Sequence, residues 1–262
     1  MIIDAHTHIY DDKKYRDYQA KAKDRILKMI VLGWYKDKLV DYLKFADTEV
    51  NLFFTGSVDM DRNVAKQLKL IEKTLKENKI YGVKLYPGYQ YFFPSDEKVY
   101  PIAELCQKYD KPLIFHSGDV WNPEGDAILK YSHPIYIDEL AVKFPKCKMI
   151  ISHFGFPYIL ETVNVVSKNK NVFTEISGTI EKDKNSSDKE TEELAEQYIK
   201  DLKRVFAYFP GVKKKTMFGT DYGGENTPLN QIEPYMKVVE SVFTDEEQKS
   251  VFGGLAERLF FE

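Results

Sequence analysis

The sequence predicts an α/β protein of the (β/α)8 or TIM barrel class, and three observations predict it. Short apolar runs rich in β-branched residues recur eight times in 262 residues. Charged segments of helical periodicity separate them. No GxGxxG follows any of the runs, and a doubly wound sheet, the structural alternative, usually needs fewer strands.

The runs, in order, are MIIDAHTH (1–8), ILKMIVLG (26–33), NLFFTGSV (51–58), IYGVKLY (80–86), PLIFHSG (112–118), KMIISHFG (148–155), NVFTEIS (171–177) and KTMFGTD (215–221). The second also fits the start of a helix. Periodicity predicts helices over 61–78, 99–109, 135–144, 157–168, 189–208, 229–241 and 245–252. The last opens with a capping box, Thr244 followed three residues on by Glu247. Pro87-Gly88, Pro112, Pro145 and Pro210-Gly211 punctuate the junctions. No repeat and no linker divides the chain, so one domain over 1–262 is expected. The biased stretch EKDKNSSDKETEE (181–193) reads as a solvated loop entering the next helix, with a mobile lid as the sharper reading.

Composition narrows the function. A net charge of -3 and a pI near 6.0 give no reason to expect nucleic acid or an anionic membrane as partner. No apolar run approaches the roughly 20 residues of a membrane span, and the N-terminus lacks a signal-peptide layout. Cys106 and Cys147 have no CxxC spacing and read as reduced packing residues. A cytoplasmic protein acting on a small molecule is the expectation.

The first run raises a question. Asp4, His6 and His8 alternate with apolar neighbours and Thr7, so a regular strand would turn all three to one face. Two of the other three histidines, His116 and His153, lie at the C-terminal ends of predicted strands, and Asp221 ends the last. Strand C-termini share one mouth of a barrel, where such folds keep their sites. A lone strand-end histidine is usually a hydrogen-bonded structural residue. Four of five, with an aspartate at the last strand end, are hard to reach by chance. Neutral imidazole with carboxylate is a ligand set favoured by zinc and similar ions. His133, before Pro134, reads as a cap or surface residue.

DAHTH, GVKLYPG, FHSG, HPIYIDELAVKFPKCKMIISHFG, FGTDYG and GGLAERLF together resemble the amidohydrolase superfamily, specifically its amidohydrolase-related (amidohydrolase 2) branch of metal-dependent hydrolases, which also holds decarboxylases and lactonases. The ordered set runs through nearly the whole chain. It is specific for the superfamily and much less so for any one reaction. The resemblance implies a (β/α)8 barrel in which His6, His8, His116 and Asp221 bind a metal. It implies that Asp221 also takes a proton from the attacking water and that His153 orients that water or polarises the substrate carbonyl. One zinc ion is expected, with manganese as the alternative. A two-metal site bridged by carboxylated Lys84 is disfavoured. Asp4 would accept a hydrogen bond from a ligand imidazole and set its tautomer. Two departures stand out: Tyr86 where many relatives have histidine, and Leu255 where asparagine is common.

The loops after the strands carry Trp34, Tyr35, Tyr86, Tyr89, Tyr91, Phe92, Phe93 and Trp121. They could wall a pocket for a ring substrate, or pack on each other, or bury the interface of a homodimer. Glu175 could contact substrate or pair with Lys84. Three functions compete: hydrolysis of an amide, ester or lactone; non-oxidative decarboxylation; and ligand binding without chemistry. Decarboxylation needs a cation for the substrate carboxylate. Among Arg16, Arg25, Arg62, Arg204 and Arg258 only Arg62 is placed to reach, so hydrolysis is favoured.

Overall fold

The computed structural model describes residues 1–46, 49–120, 125–180, 187–223 and 231–262. Its strands are β1 (Ile2–Thr7), β2 (Ile26–Val31), β3 (Leu52–Phe54), β4 (Gly56–Ser57), β5 (Val83–Leu85), β6 (Leu113–Phe115), β7 (Met149–Ile151), β8 (Val172–Glu175) and β9 (Thr216–Met217). All pair in parallel, as β1-β2-β3 and β4-β5-β6-β7-β8-β9. β3 and β4 are two halves of one barrel position, joined through Thr55, whose N–H bonds Val31 O at 2.9 Å. β1 and the segment after β9 close the ring: Ala5 N donates to Phe218 O at 3.1 Å, Asp221 N to His6 O at 2.8 Å, and Thr7 pairs with Tyr222. The result is a (β/α)8 barrel with its strands where the eight apolar runs predict them. The second run, open to a helical reading, is a strand.

Two buried clusters show the layers. The barrel interior holds Ile3, Ala5, Ile30, Ile114, Ile150 and Met217, closed at the strand N-termini by the helix Leu255–Phe260. There Phe261 packs edge-on against Phe53. The larger cluster lies between strands and helices and includes Met29, Val31, Val83, Leu85, Phe115 and Ile151. Both faces of each strand are thus apolar through most of their length, as a parallel sheet requires.

The predicted helices appear within a few residues of their expected bounds, with two corrections. The stretch 245–252 is a helix Asp245–Lys249 that widens into a π turn over Ser250–Gly254 and continues as Leu255–Phe260. Helices Asp12–Ala22 and Leu39–Ala46 were not predicted. In the first, Tyr18 and Ala22 are the buried residues, too few to write a stripe into the sequence. No helix among the described residues is long and apolar enough to cross a membrane. Cys106 and Cys147 are free and buried.

Candidate active site

The site begins with an irregularity. β1 pairs β2 with a shift of register between Asp4 and Thr7, so strict alternation fails there. Asp4 therefore does not share a face with the histidines. Its carboxylate accepts from Tyr18 OH at 2.8 Å on the helix Asp12–Ala22, from Thr220 Oγ1 at 2.6 Å, and from the amides of His6 and Thr220 at 3.1 Å. Burial nonetheless pushes its pKa up to about 6, against those hydrogen bonds. It holds the backbone of β1 to the segment after β9. The expected bond from Asp4 to a ligand imidazole is replaced by one from Glu175.

His6 Nε2 lies 3.1 Å and His8 Nε2 3.0 Å from the same oxygen, Asp221 Oδ1. The other nitrogen of His6 is 2.8 Å from Glu175 Oε1, and that of His8 is 2.5 Å from Tyr10 OH. Burial works against the charge of Asp221, but His6 and His8 hold its carboxyl well below the usual range. Burial lowers the pKa of His8. His6 is pulled the other way: burial and Lys84 oppose its charge, but Glu175 and Asp221 together raise its pKa. Two imidazole nitrogens and a carboxylate oxygen, buried at His6 and part-buried at His8 and Asp221, converge on one point and fit a divalent ion.

A second group of suitable types, His6, His153 and Glu175, is also close-set. Its chemistry differs. Glu175 receives the amide of His153 at 2.8 Å and that of Ser177 at 2.6 Å besides the His6 ring. Burial disfavours its charge, yet those partners bring its pKa down to about 2. Its lone pairs are spent on N–H donors, so it works as an anchor rather than a ligand. Glu175 does not pair with Lys84.

His116 stands apart from both groups. Its Nδ1 is 3.2 Å from His153 Nε2, and its Nε2 is 2.8 Å from Asp119 O. His153 Nδ1 in turn meets Ser177 Oγ at 3.1 Å. Burial keeps both rings neutral: it carries His116 well below its usual pKa and His153 to about 4. Of the four expected ligands, the structure thus gathers His6, His8 and Asp221, and engages His116 with His153 instead.

Lys84 is fully buried on β5 and donates to Ser152 Oγ at 2.6 Å. Burial brings its pKa down to about 7. Above it the wall is aromatic. Tyr86 bonds Gly33 O at 3.0 Å and lies parallel to His116, with ring centres 6.1 Å apart. Trp34 packs on Tyr35, Tyr86 and Tyr89. The remaining aromatics of that loop go elsewhere: Phe92 joins the outer core, and Phe93 packs on Tyr131 and Tyr136. Trp121 and residues 181–186 of the biased stretch lie outside the described residues; Ser187 and Glu190 form a capping box on the helix Asp188–Tyr208. His133 caps a turn, its Nδ1 accepting from Ile135 N at 3.3 Å.

Tyr10, Ser152 and Ser177 were not singled out in the sequence. Tyr10 alone carried a signal, since it continues the 6, 8, 10 alternation. Glycines clear the space around the group. A Cβ on Gly219 would stand 2.9 Å from Glu175 Oε2, and one on Gly178 would stand 2.4 Å from His153 Nδ1.

A parallel barrel with two imidazoles and a carboxylate converging at its strand C-termini defines a metal-binding barrel enzyme. Residues 41–261 match the family Amidohydro_2, described as amidohydrolase, and the chain belongs to that family. His6 and His8 precede the matched segment, so their place in the site rests on the geometry above. Among curated sequences no significant match is found. Solved structures share the fold at low identity. An amidohydrolase of Burkholderia multivorans aligns with TM-score 0.69 and 14% identity over 99% of both chains. A probable 2-pyrone-4,6-dicarboxylic acid hydrolase of Acinetobacter baumannii gives 0.64 and 14% over 99% of this chain and 98% of that one. A 5-carboxyvanillate decarboxylase of Novosphingobium aromaticivorans, complexed with manganese, gives 0.64 and 13% over 96% and 80%.

Proposed function

We propose that the protein is a metal-dependent hydrolase that opens an amide, ester or lactone bond in a small, ring-containing substrate. The convergence of His6, His8 and Asp221 on one point carries the proposal. A divalent ion held there would acidify a bound water and polarise a carbonyl. Zinc is the proposed ion from the nitrogen-rich donor set. Manganese is the alternative, because it occupies related decarboxylases.

The chain's own groups supply the rest. Asp221 offers Oδ1 to the histidines, and its Oδ2 faces the backbone of Gly178, free of a competing side chain there. That oxygen is the proposed acceptor of the water proton. His153 would donate to the substrate carbonyl once substrate replaces its 3.2 Å contact with His116. Trp34, Tyr86 and Tyr89 would hold a flat ring at the mouth. Two free, buried cysteines suit a reducing compartment, and the cytoplasm is the proposed location.

Decarboxylation is the second reading, favoured by the manganese-bound decarboxylases of the same fold. It needs a cation to grip a carboxylate. Arg16, Arg25 and Arg62 pair with Asp12, Glu233 and Asp59, and Arg204 and Arg258 are exposed. The buried cation beside the centre is Lys84, which is committed to Ser152.

Metal content by elemental mass spectrometry, on untagged protein re-equilibrated with zinc or manganese, tests the centre. About one ion per chain, lost in a His6→Ala/His8→Ala variant, supports it; none above background overturns it. Turnover of lactones, esters or amides then supports hydrolysis, whereas carbon dioxide release from aromatic acids supports the second reading.

A further inference from the structure

We infer that Tyr10 and Glu175 are positioning residues that keep the protons of His8 and His6 on Nδ1, and so turn both Nε2 lone pairs toward one cation beside Asp221. The inference rests on the metal centre proposed above.

For rings that each carry a single proton, the hydrogen bonds leave one consistent arrangement. Tyr10 OH lies 2.6 Å from Leu32 O. A carbonyl only accepts, so the single hydroxyl proton goes there. The 2.5 Å contact between Tyr10 OH and His8 Nδ1 must then carry the nitrogen's proton. Stacking of Tyr10 on Tyr42, with centroids 4.9 Å apart, fixes the phenol in place. At His6 the partner of Nδ1 is the Glu175 carboxylate, again an acceptor. Ser177 Oγ approaches the same nitrogen at 3.1 Å.

With a single proton on each ring both Nε2 atoms are consequently bare, yet both lie about 3 Å from Asp221 Oδ1. Three lone pairs meeting in a largely buried site repel unless a positive charge, a metal ion or an added proton, stands between them. The opposite tautomers would satisfy Asp221 by donating to it. They would instead set a bare Nδ1 of His6 against the Glu175 carboxylate, and a bare Nδ1 of His8 against a hydroxyl whose proton is taken. Residues that are not ligands thus determine which nitrogens are.

The test uses full-length protein with isotopically labelled histidine. Imidazole NMR is recorded in the metal-free and zinc-loaded forms, and zinc affinity is measured by competition with a chromophoric chelator. In zinc-loaded wild type, both rings should show protonated Nδ1 and metal-bound Nε2. Tyr10→Phe should mix the tautomers of His8 alone and weaken zinc binding about 10- to 100-fold. Glu175→Gln should do the same for His6. Glu175 also ties two backbone amides, so Tyr10→Phe, which removes one hydroxyl, is the deciding variant. Folded Tyr10→Phe with unchanged zinc affinity, or a wild-type His8 protonated on Nε2 alone, overturns the positioning role. Wild type that takes up no zinc overturns the metal centre as well, while the metal-free spectra still read the tautomers independently.

Discussion

Asp221 and His153 both adopt left-handed backbone conformations, with φ of 64° and 59°. Outside glycine such conformations cost on the order of 1 kcal/mol or more and persist where surrounding structure demands them. Here they let residues just past the strand ends point back into the mouth. If Asp221 accepts the water proton, Asp221→Asn should keep the fold and lower turnover about 100- to 10,000-fold; circular dichroism and initial rates on a reactive lactone check it. Gly178 lies against both side chains, its own φ 69°. Gly178→Ala should cost about 1–3 kcal/mol in urea unfolding and displace His153, because the added carbon has no room. At this scale the sequence showed rare chemical types well: His6, His8, His153 and Asp221 stand out by composition and by strand-end placement. It hid what depends on local geometry. A register shift within β1 turns Asp4 outward, and no pattern of apolar and polar residues marks it. Ser177 is silent because serine is common and its role comes from lying between two rings 147 positions apart in sequence.

The elements were legible where packing repeats. Each barrel strand is covered on both faces, so its run of branched apolar residues is nearly continuous, and all eight positions could be found. Helices that bury a broad face behaved likewise. Helix Asp12–Ala22 escaped because tyrosine and alanine, not an aliphatic stripe, attach it to the barrel, while Asp11 caps its start by accepting from Lys14 N at 2.8 Å. Caps also decide where the long helix Asp188–Tyr208 begins: Ser187 and Glu190 bond each other's ends reciprocally. Ser187→Ala should therefore lower stability by about 1 kcal/mol. Hydrogen exchange should show the loss concentrated in the first turns of that helix, with the barrel strands still protected.

Across the whole molecule, the buried Lys84 links stability to pH. Its pKa falls from 10.5 to about 7 on folding, chiefly through burial. The unfolded chain therefore binds more protons than the folded one between those values, and stability rises with pH across that window. Below about 7 the lysine is charged in both states and the full cost of burying it is present. Lys84→Met should be more stable than wild type near neutral pH, by on the order of a few kcal/mol, with the advantage shrinking toward pH 10. Urea midpoints of chelator-treated protein at several pH values check this; an advantage that grows with pH would contradict it.

The seam between β1 and the segment after β9 sets a timetable for biosynthesis. His6 and His8 are made more than 200 residues before their barrel neighbours Phe218, Asp221 and Tyr222. Until then β1 has an open edge and the proposed ligand set lacks its carboxylate. Contacts so distant in sequence form slowly. A nascent or truncated chain ending before the last strand would carry two unguarded histidines and an unpaired strand, inviting aggregation and stray metal. Uptake of the ion would then be the last event of assembly, reporting a finished barrel and stabilising it by mass action.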